Sequence, residues 1–359
     1  MAHLFGCFLF IALCAGNSQL IRSFTESVFI ILASNKFRES VELLKDEEVE
    51  LKKREKRQLK ELENILLNDN ATDLDHSYTA DYEFYTAHYW NDNETFGQYW
   101  RDIPDLLTLG TGTKGTLDNH RLVGHRRATV ENLQFDFPFF GALLSNVTVS
   151  TGGFCFLGAS THSWLAATQY LAPLMAGFHV PQRQNSSILH ADTGEFFVVE
   201  WQNVELKYQP EYGRFSFQAV LHKNGQIDFV YKEVPVPLSN ISAKRHPRKV
   251  GLSDAYLFKK KSFFGSAQRV IYEYNRIELD QDRIKSGVVI KLEPKITCAS
   301  FTSCQTCSNA TLENFVCSWC VPESGEAFCS DKDGKHRRRQ SWQSAGCDKN
   351  ASTEFKCQS

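Results

Sequence analysis

Cys304, Cys307, Cys317 and Cys320 form two Cys-x-x-Cys pairs inside the run CQTCSNATLENFVCSWC. Sulfur at that spacing has three chemistries open to it. Four thiolates can hold a tetrahedral zinc ion, given a compartment that keeps them reduced. Cys317-Ser318-Trp319-Cys320 can act as a redox dithiol, given a helix N-terminus after a strand in a βαβ setting. Or every sulfur can be oxidised into a structural bridge. No βαβ setting is visible around the run. The spacer between the pairs is short for a zinc ribbon and carries a glycosylation sequon at Asn309. Zinc would also leave Cys298, Cys329, Cys347 and Cys357 without a role. Eight cysteines between residues 298 and 357 therefore read as a disulfide scaffold, and no metal or cofactor is expected.

Other residues invite chemistry and fail on their partners. Asp192-Thr193-Gly194 has the form of half an aspartic-protease site, but the chain holds no second copy and only a homodimer could supply one, so a turn is the reading. Gly251-Leu252-Ser253-Asp254-Ala255 echoes a nucleophile elbow, yet Ala255 stands where glycine is needed, and again a turn is expected. Asp331-Lys332-Asp333-Gly334 lacks the acidic first and last positions of a calcium loop and reads as a surface turn. The run LGTGTKGT, 109 to 116, has no phosphate-loop Gly-Lys-Ser/Thr at the required spacing and reads as a linker. Cys155, between two phenylalanines, reads as a buried inert thiol. Two basic runs remain, Lys244 to Lys249 and Lys335 to Arg339. Outside a cell such runs meet sulfated glycans or acidic surfaces, or are simply solvated charge.

The setting follows from the ends and the sequons. Residues 1–16 have an apolar stretch followed by small residues and read as a secretory signal peptide, too short to span a bilayer. Sequons at Asn70, Asn93, Asn146, Asn185, Asn240, Asn309 and Asn350 predict a glycoprotein of the secretory pathway. A formal net charge of −2 gives no general pull toward nucleic acid or a membrane surface.

What positions these residues is mostly β-structure. Residues 17–69 form a charged helical or linker segment, in which Arg54-Glu55-Lys56-Arg57 matches a proprotein-convertase site or is a solvated helix face. Residues 70–120 are aromatic and acidic and read as an irregular lead-in. From 121 to 296 strand signals are dense. Leu133, Phe135 and Phe137 alternate up to Pro138. Phe215, Phe217, Ala219 and Leu221 alternate, Asn224-Gly225 supplies a tight turn, and Ile227, Phe229 and Tyr231 alternate back as a hairpin. The class is mainly β: an all-β sandwich or barrel-like domain, then a small disulfide-rich module over 297–358, with only the N-terminal segment strongly helical.

Two resemblances sharpen this. The C-terminal pattern, Cys-x5-Cys-x2-Cys, then Cys-Ser-Trp-Cys, then Trp342 before Cys347, resembles the plexin-semaphorin-integrin (PSI) module. That resemblance implies bridges Cys298–Cys317, Cys304–Cys357, Cys307–Cys329 and Cys320–Cys347, with Trp319 and Trp342 as its small core. The runs FDFPFFGALLSNVTVSTGGFCFLG, ATQYLAPLMAGF and GRFSFQAVLHKNGQIDFVYKEV are similar to the nidogen-like extracellular domain. Their order with HPRKVGLSDAY, YEYNRIEL and one PSI module resembles the plexin-domain-containing proteins, or tumour endothelial markers. The resemblance implies a non-enzymatic cell-surface glycoprotein that binds secreted or matrix protein ligands through the nidogen-like domain, with the PSI module as a rigid spacer. In that family a membrane span follows the module. The sequence stops two residues after Cys357, so the form is secreted or truncated, or the sequence belongs to a longer chain. The rival from another class is a secreted hydrolase using Asp192 or Ser253.

Overall fold

Alternation alone would leave a strand with one wet face, yet the strand Arg214–His222 is buried at seven consecutive positions. Two layers account for this. The computed structural model describes residues 77–347, apart from 111, 118–121, 159–167, 183–184, 262–266 and 323–325. The signal peptide, the 17–69 segment and the convertase motif lie outside the described residues.

The strands in chain order are β1 (Ser77–Asp81), β2 (Tyr85–Asn91), β3 (Lys114–Thr116), β4 (Gly124–His125), β5 (Ala128–Phe139), β6 (Ala142–Ser150), β7 (Phe154–Phe156) and β8 (Tyr170–Met175). Then come β9 (Phe178–Val180), β10 (Ser187–Asp192), β11 (Phe196–Leu206), β12 (Arg214–His222), β13 (Ile227–Glu233), β14 (Lys249–Lys261), β15 (Ala267–Glu278) and β16 (Val288–Pro294). One sheet runs β1-β2-β16-β13-β12-β11-β10-β3, with β9 also on β11 and β4 on β9. The second runs β15-β14-β8-β7-β6-β5. Inward side chains of both sheets, among them Phe137, Val149, Leu171, Trp201, Phe217 and Phe229, form one continuous core. Hydrogen bonds tie the layers, among them Trp201 Nε1 donating to the Ser150 carbonyl at 2.8 Å and Tyr231 Oη to the Pro173 carbonyl at 2.6 Å. The fold is an all-β sandwich. Each buried phenylalanine contributes about 1.5–3 kcal/mol relative to exposure, and the core holds many.

The β12–β13 hairpin forms at Asn224-Gly225. Gly225 takes φ 91°, and Asn224 Oδ1 accepts from the Gln226 amide at 3.0 Å. Pro138 does not end its strand, as the alternation suggested. It sits near the end of β5, an edge strand, where a missing amide proton costs little.

The larger correction concerns 70–120, read from sequence as irregular. It supplies β1 and β2, which extend the first sheet beside β16, and two helices, α1 (Asn93–Tyr99) and α2 (Ile103–Leu109). Tyr85, Ala87 and Tyr89 alternate inward on β2. The LGTGTKGT run likewise contributes β3, paired with β10. The two helices start on aspartate caps, Asp92 and Asp102, each accepting an amide of the first turn. Ile103 packs with Leu189, Ala191, Val198 and Val220 on the outer face of the first sheet. Gln218, fully buried on β12, accepts from the Arg101 amide at 3.0 Å and donates to the Arg101 carbonyl at 2.7 Å and to Glu200 at 2.9 Å. That grip explains why the outer face of β12 is dry.

Candidate functional site

The cysteine-rich segment is built from two short strands and two short helices. β17 (Cys317–Cys320) pairs antiparallel with β18 (Phe328–Asp331). α3 (Cys304–Ser308) is capped by Ser303, whose hydroxyl accepts from the Thr306 amide, and α4 (Arg339–Ser344) carries Trp342. Disulfides join Cys298 to Cys317, Cys307 to Cys329 and Cys320 to Cys347, with Cα separations of 5.3, 5.7 and 5.7 Å. These are three of the pairs the PSI resemblance implies. Cys304 is also disulfide-bonded, and Cys357 lies outside the described residues. The sulfurs of Cys298, Cys317 and Cys329 lie within 4.8 Å of one another. They belong to two adjacent bridges and offer no thiolate to a metal.

Trp342 is buried with Cys320 and Cys347 in a small cluster of its own. Trp319 is not part of it. It packs, half-buried, against the sandwich core, and Cys298, Cys307, Phe315, Cys317 and Cys329 belong to that same core. The physical reason is size: so short a segment cannot bury enough apolar surface alone, so it borrows the sandwich.

Polar contacts on two sides fix that docking. Arg337 Nε donates to Asp254 Oδ2 at 2.8 Å, its Nη2 stands 2.7 Å from Oδ1, and its Nη1 donates to the Leu157 carbonyl at 2.7 Å. Asp254, on β14, has no exposed surface, and it also accepts from Tyr274 Oη and Gln169 Nε2. Burial, and then the Asp254 charge, push the Tyr274 phenol well above its usual range. On the other side, Glu83 in the β1–β2 turn pairs with Lys335 and accepts from Asn275 Nδ2 at 2.9 Å. Its carbonyl accepts from Asn314 Nδ2 at 3.1 Å. Between the two, Phe315 meets Phe84 at 4.7 Å between ring centroids, and Phe84 meets Phe140 at 5.0 Å.

The residues singled out by sequence have these places. Asp192 is buried, and its carboxylate accepts from the Gln134 and Gly194 amides at 2.7 and 2.9 Å, closing the β10–β11 turn. Ser253 is not in a turn, as expected, but in the middle of β14, where its hydroxyl donates to the Thr168 carbonyl at 2.8 Å. Gly251 there takes φ 133°, with the Ile277 carbonyl lying where a Cβ would stand, so it lets two strands approach and makes no elbow. Asp331, expected in a surface turn, is instead buried at the end of β18, where it accepts from the Lys335 amide at 3.1 Å across the turn that follows. Cys155 is a free, buried thiol, its pKa raised by burial. Asn93, Asn146, Asn185, Asn240 and Asn309 are exposed, as a glycan requires, while Asn70 and Asn350 lie outside the described residues.

The run 335–339 is not an open basic surface. Beyond Lys335 and Arg337, His336 Nε2 meets Ser330 Oγ at 2.6 Å, Arg338 lies over Phe328 and Arg339 over Trp342. In the other run, Arg248 turns inward to the carbonyls of Leu238, Ser239 and Ile241, and Lys249 lies over Tyr170. Glu83 and Gln218 carried no motif, and Asp254 was passed over inside the elbow-like run 251–255. Their one signal was a charged or amide side chain set in an apolar, β-forming run.

Residues 111–278 match the family model described as NIDO related. The match covers β3 to the end of β15. The nidogen-related segment thus lacks β1, β2 and β16, which neighbouring sequence supplies to its first sheet. No solved structure matches the chain. Disulfides of this kind persist only in oxidising compartments, so a nidogen-related domain joined to them indicates an extracellular or secretory-pathway protein with an interaction domain. Among the described residues no helix is long and apolar enough to cross a membrane.

Proposed function

We propose that this protein is a non-enzymatic extracellular glycoprotein that binds secreted or matrix protein ligands through its nidogen-related sandwich. The observation that carries this is the nidogen-related match on a sandwich whose attached segment is closed by disulfides. The five exposed sequons support it. We read the cysteine-rich segment as a PSI module of the plexin-domain-containing type. Its contacts with Glu83 and Asp254 favour a brace that holds one orientation on the sandwich over a swinging spacer. The hydrolase reading is disfavoured because Asp192 and Ser253 are both spent on backbone carbonyls or amides. A form that acts as a soluble decoy shares the same ligand surface.

The test is expression of the full chain in a secreting animal cell. The protein should enter the medium, lose mass with peptide-N-glycosidase, and bind saturably to at least one purified matrix glycoprotein on a panel. Retention in the cytosol with free thiols, or peptide or ester cleavage lost in Asp192→Ala or Ser253→Ala, would sink the proposal.

A further inference from the structure

Six of the described cations on the sandwich pair with a carboxylate. Arg214 pairs with Glu205, Lys223 with Glu195, Arg276 with Glu273, Arg283 with Asp280, Lys291 with Glu293 and Lys295 with Asp81. One region differs. Arg126 and Arg127 lie in the β4–β5 turn, Lys207 follows β11, and Lys244 and Arg245 lie in the loop before β14. All five are exposed, and none forms an ion pair with a described carboxylate. The fold nevertheless brings Arg126, Lys244 and Arg245 to one place. Arg126 Nη2 donates to the Arg245 carbonyl at 3.3 Å. The Arg245 guanidinium stands 4.5 Å from the centre of the Tyr208 ring, and His125 meets that ring edge-on. Lys244, Arg245 and Tyr208 line one open cleft of about 280 Å³.

Two further observations single this region out. Arg126 is held at φ 55°, a left-handed conformation that glycine or asparagine takes at lower cost. The like charge is also felt by its neighbours. His246 and His179 both have pKa values lowered, first by burial, with His125 and Arg126 adding to the effect at His246 and Lys207 and His125 at His179, where the Glu205 charge opposes them.

We propose that this cleft binds a sulfated polysaccharide. The cations come from three chain segments and spread around an open cleft, so they suit a polymer with repeated anionic groups better than one compact anion. Tyr208, still 47% exposed, offers a sugar ring an apolar face beside the Arg245 charge. An incoming sulfate chain supplies these cations with the counter-charge that no ion pair supplies. The polymer is met outside the cell, so the biological setting rests on the extracellular reading above. The binding itself does not, and protein-ligand binding survives its failure.

The test uses the purified full chain on immobilised heparin at 0.15 M salt. Arg126→Glu/Lys244→Glu/Arg245→Glu should weaken binding by roughly tenfold or more, because charges within about 8 Å of one another still act together at that salt. Lys114→Glu/Lys285→Glu/Lys332→Glu, the same change in net charge at exposed lysines elsewhere, should retain binding within about twofold. Thermal unfolding checks that both variants fold. In the unaltered chain heparin should shield Lys207 and Lys244 from acetylation, read by mass spectrometry, which needs no variant. Equal losses in both triple variants, no shielding of Lys244, or no heparin binding at all would overturn the proposal. Equal binding to N-desulfated, O-desulfated heparin or to polyglutamate would overturn the assignment to sulfate.

Discussion

Replacing Arg337 with methionine removes one half of a buried ion pair and leaves the other half in place. The Asp254 side chain is fully buried and that of Arg337 only 15% exposed, so water cannot easily replace the lost guanidinium. Breaking such a pair from one side costs about 3–5 kcal/mol. Tyr274 Oη and Gln169 Nε2 still donate to Asp254, which sets the cost at the lower end. The double change Asp254→Leu/Arg337→Met removes the stranded charge and leaves mainly the Tyr274 hydroxyl unpaired, a cost of about 1–3 kcal/mol. The double variant should therefore be more stable than Arg337→Met alone. Urea unfolding of the oxidised chain, followed by tryptophan fluorescence, measures both. With a slope of about 2–3 kcal/mol per molar, Arg337→Met lowers the midpoint by roughly 1–2 M. A single variant within about 1 kcal/mol of the parent, or a double variant equal to the sum of the singles, would refute the reasoning, since pairs in contact do not add.

Two further outcomes follow from the same interior. His336 is held neutral, its pKa lowered to about 4 by burial and then by Arg339 and Arg338. Its folded value lies below the unfolded one, so its contribution is complete above about pH 6.5 and is lost as pH falls toward 4, by up to about 3 kcal/mol. His336→Gln should flatten that limb of the stability–pH curve, and an unchanged curve would remove His336 as the cause. Gln218→Leu strands the Arg101 backbone groups and deprives Glu200 of a donor, at about 2–3 kcal/mol. Burial already holds the Glu200 carboxyl above its usual range. Amide exchange should rise first in 93–109; uniform acceleration across the sandwich would contradict the local grip.

The hairpin at Asn224-Gly225 was legible because each signal there is local: period-two alternation and a residue free to take positive φ. The sandwich class was legible for the same reason. The role of 70–120 was not. Tyr85, Ala87 and Tyr89 do alternate, but their pairing partner, β16, lies two hundred residues away, and nothing in the short run names it. The basic run 335–339 misled in the opposite sense. Local charge density suggested a surface for anions, whereas distant Glu83 and Asp254 and nearby rings and a hydroxyl engage it side chain by side chain.

By itself the sequence determined what depends on composition and short-range spacing. That includes an oxidised, cysteine-closed C-terminal segment, a β-rich middle and a single Asp-Thr-Gly motif. Only the tertiary structure decided that the cysteine-rich segment shares its core with the sandwich. Only it decided that Arg126 and Arg245 stand together while Arg337 is largely withdrawn from water against Asp254. Charge is a property of a residue, but its availability depends on what the fold brings within a few ångströms, and those neighbours lie far away in the chain.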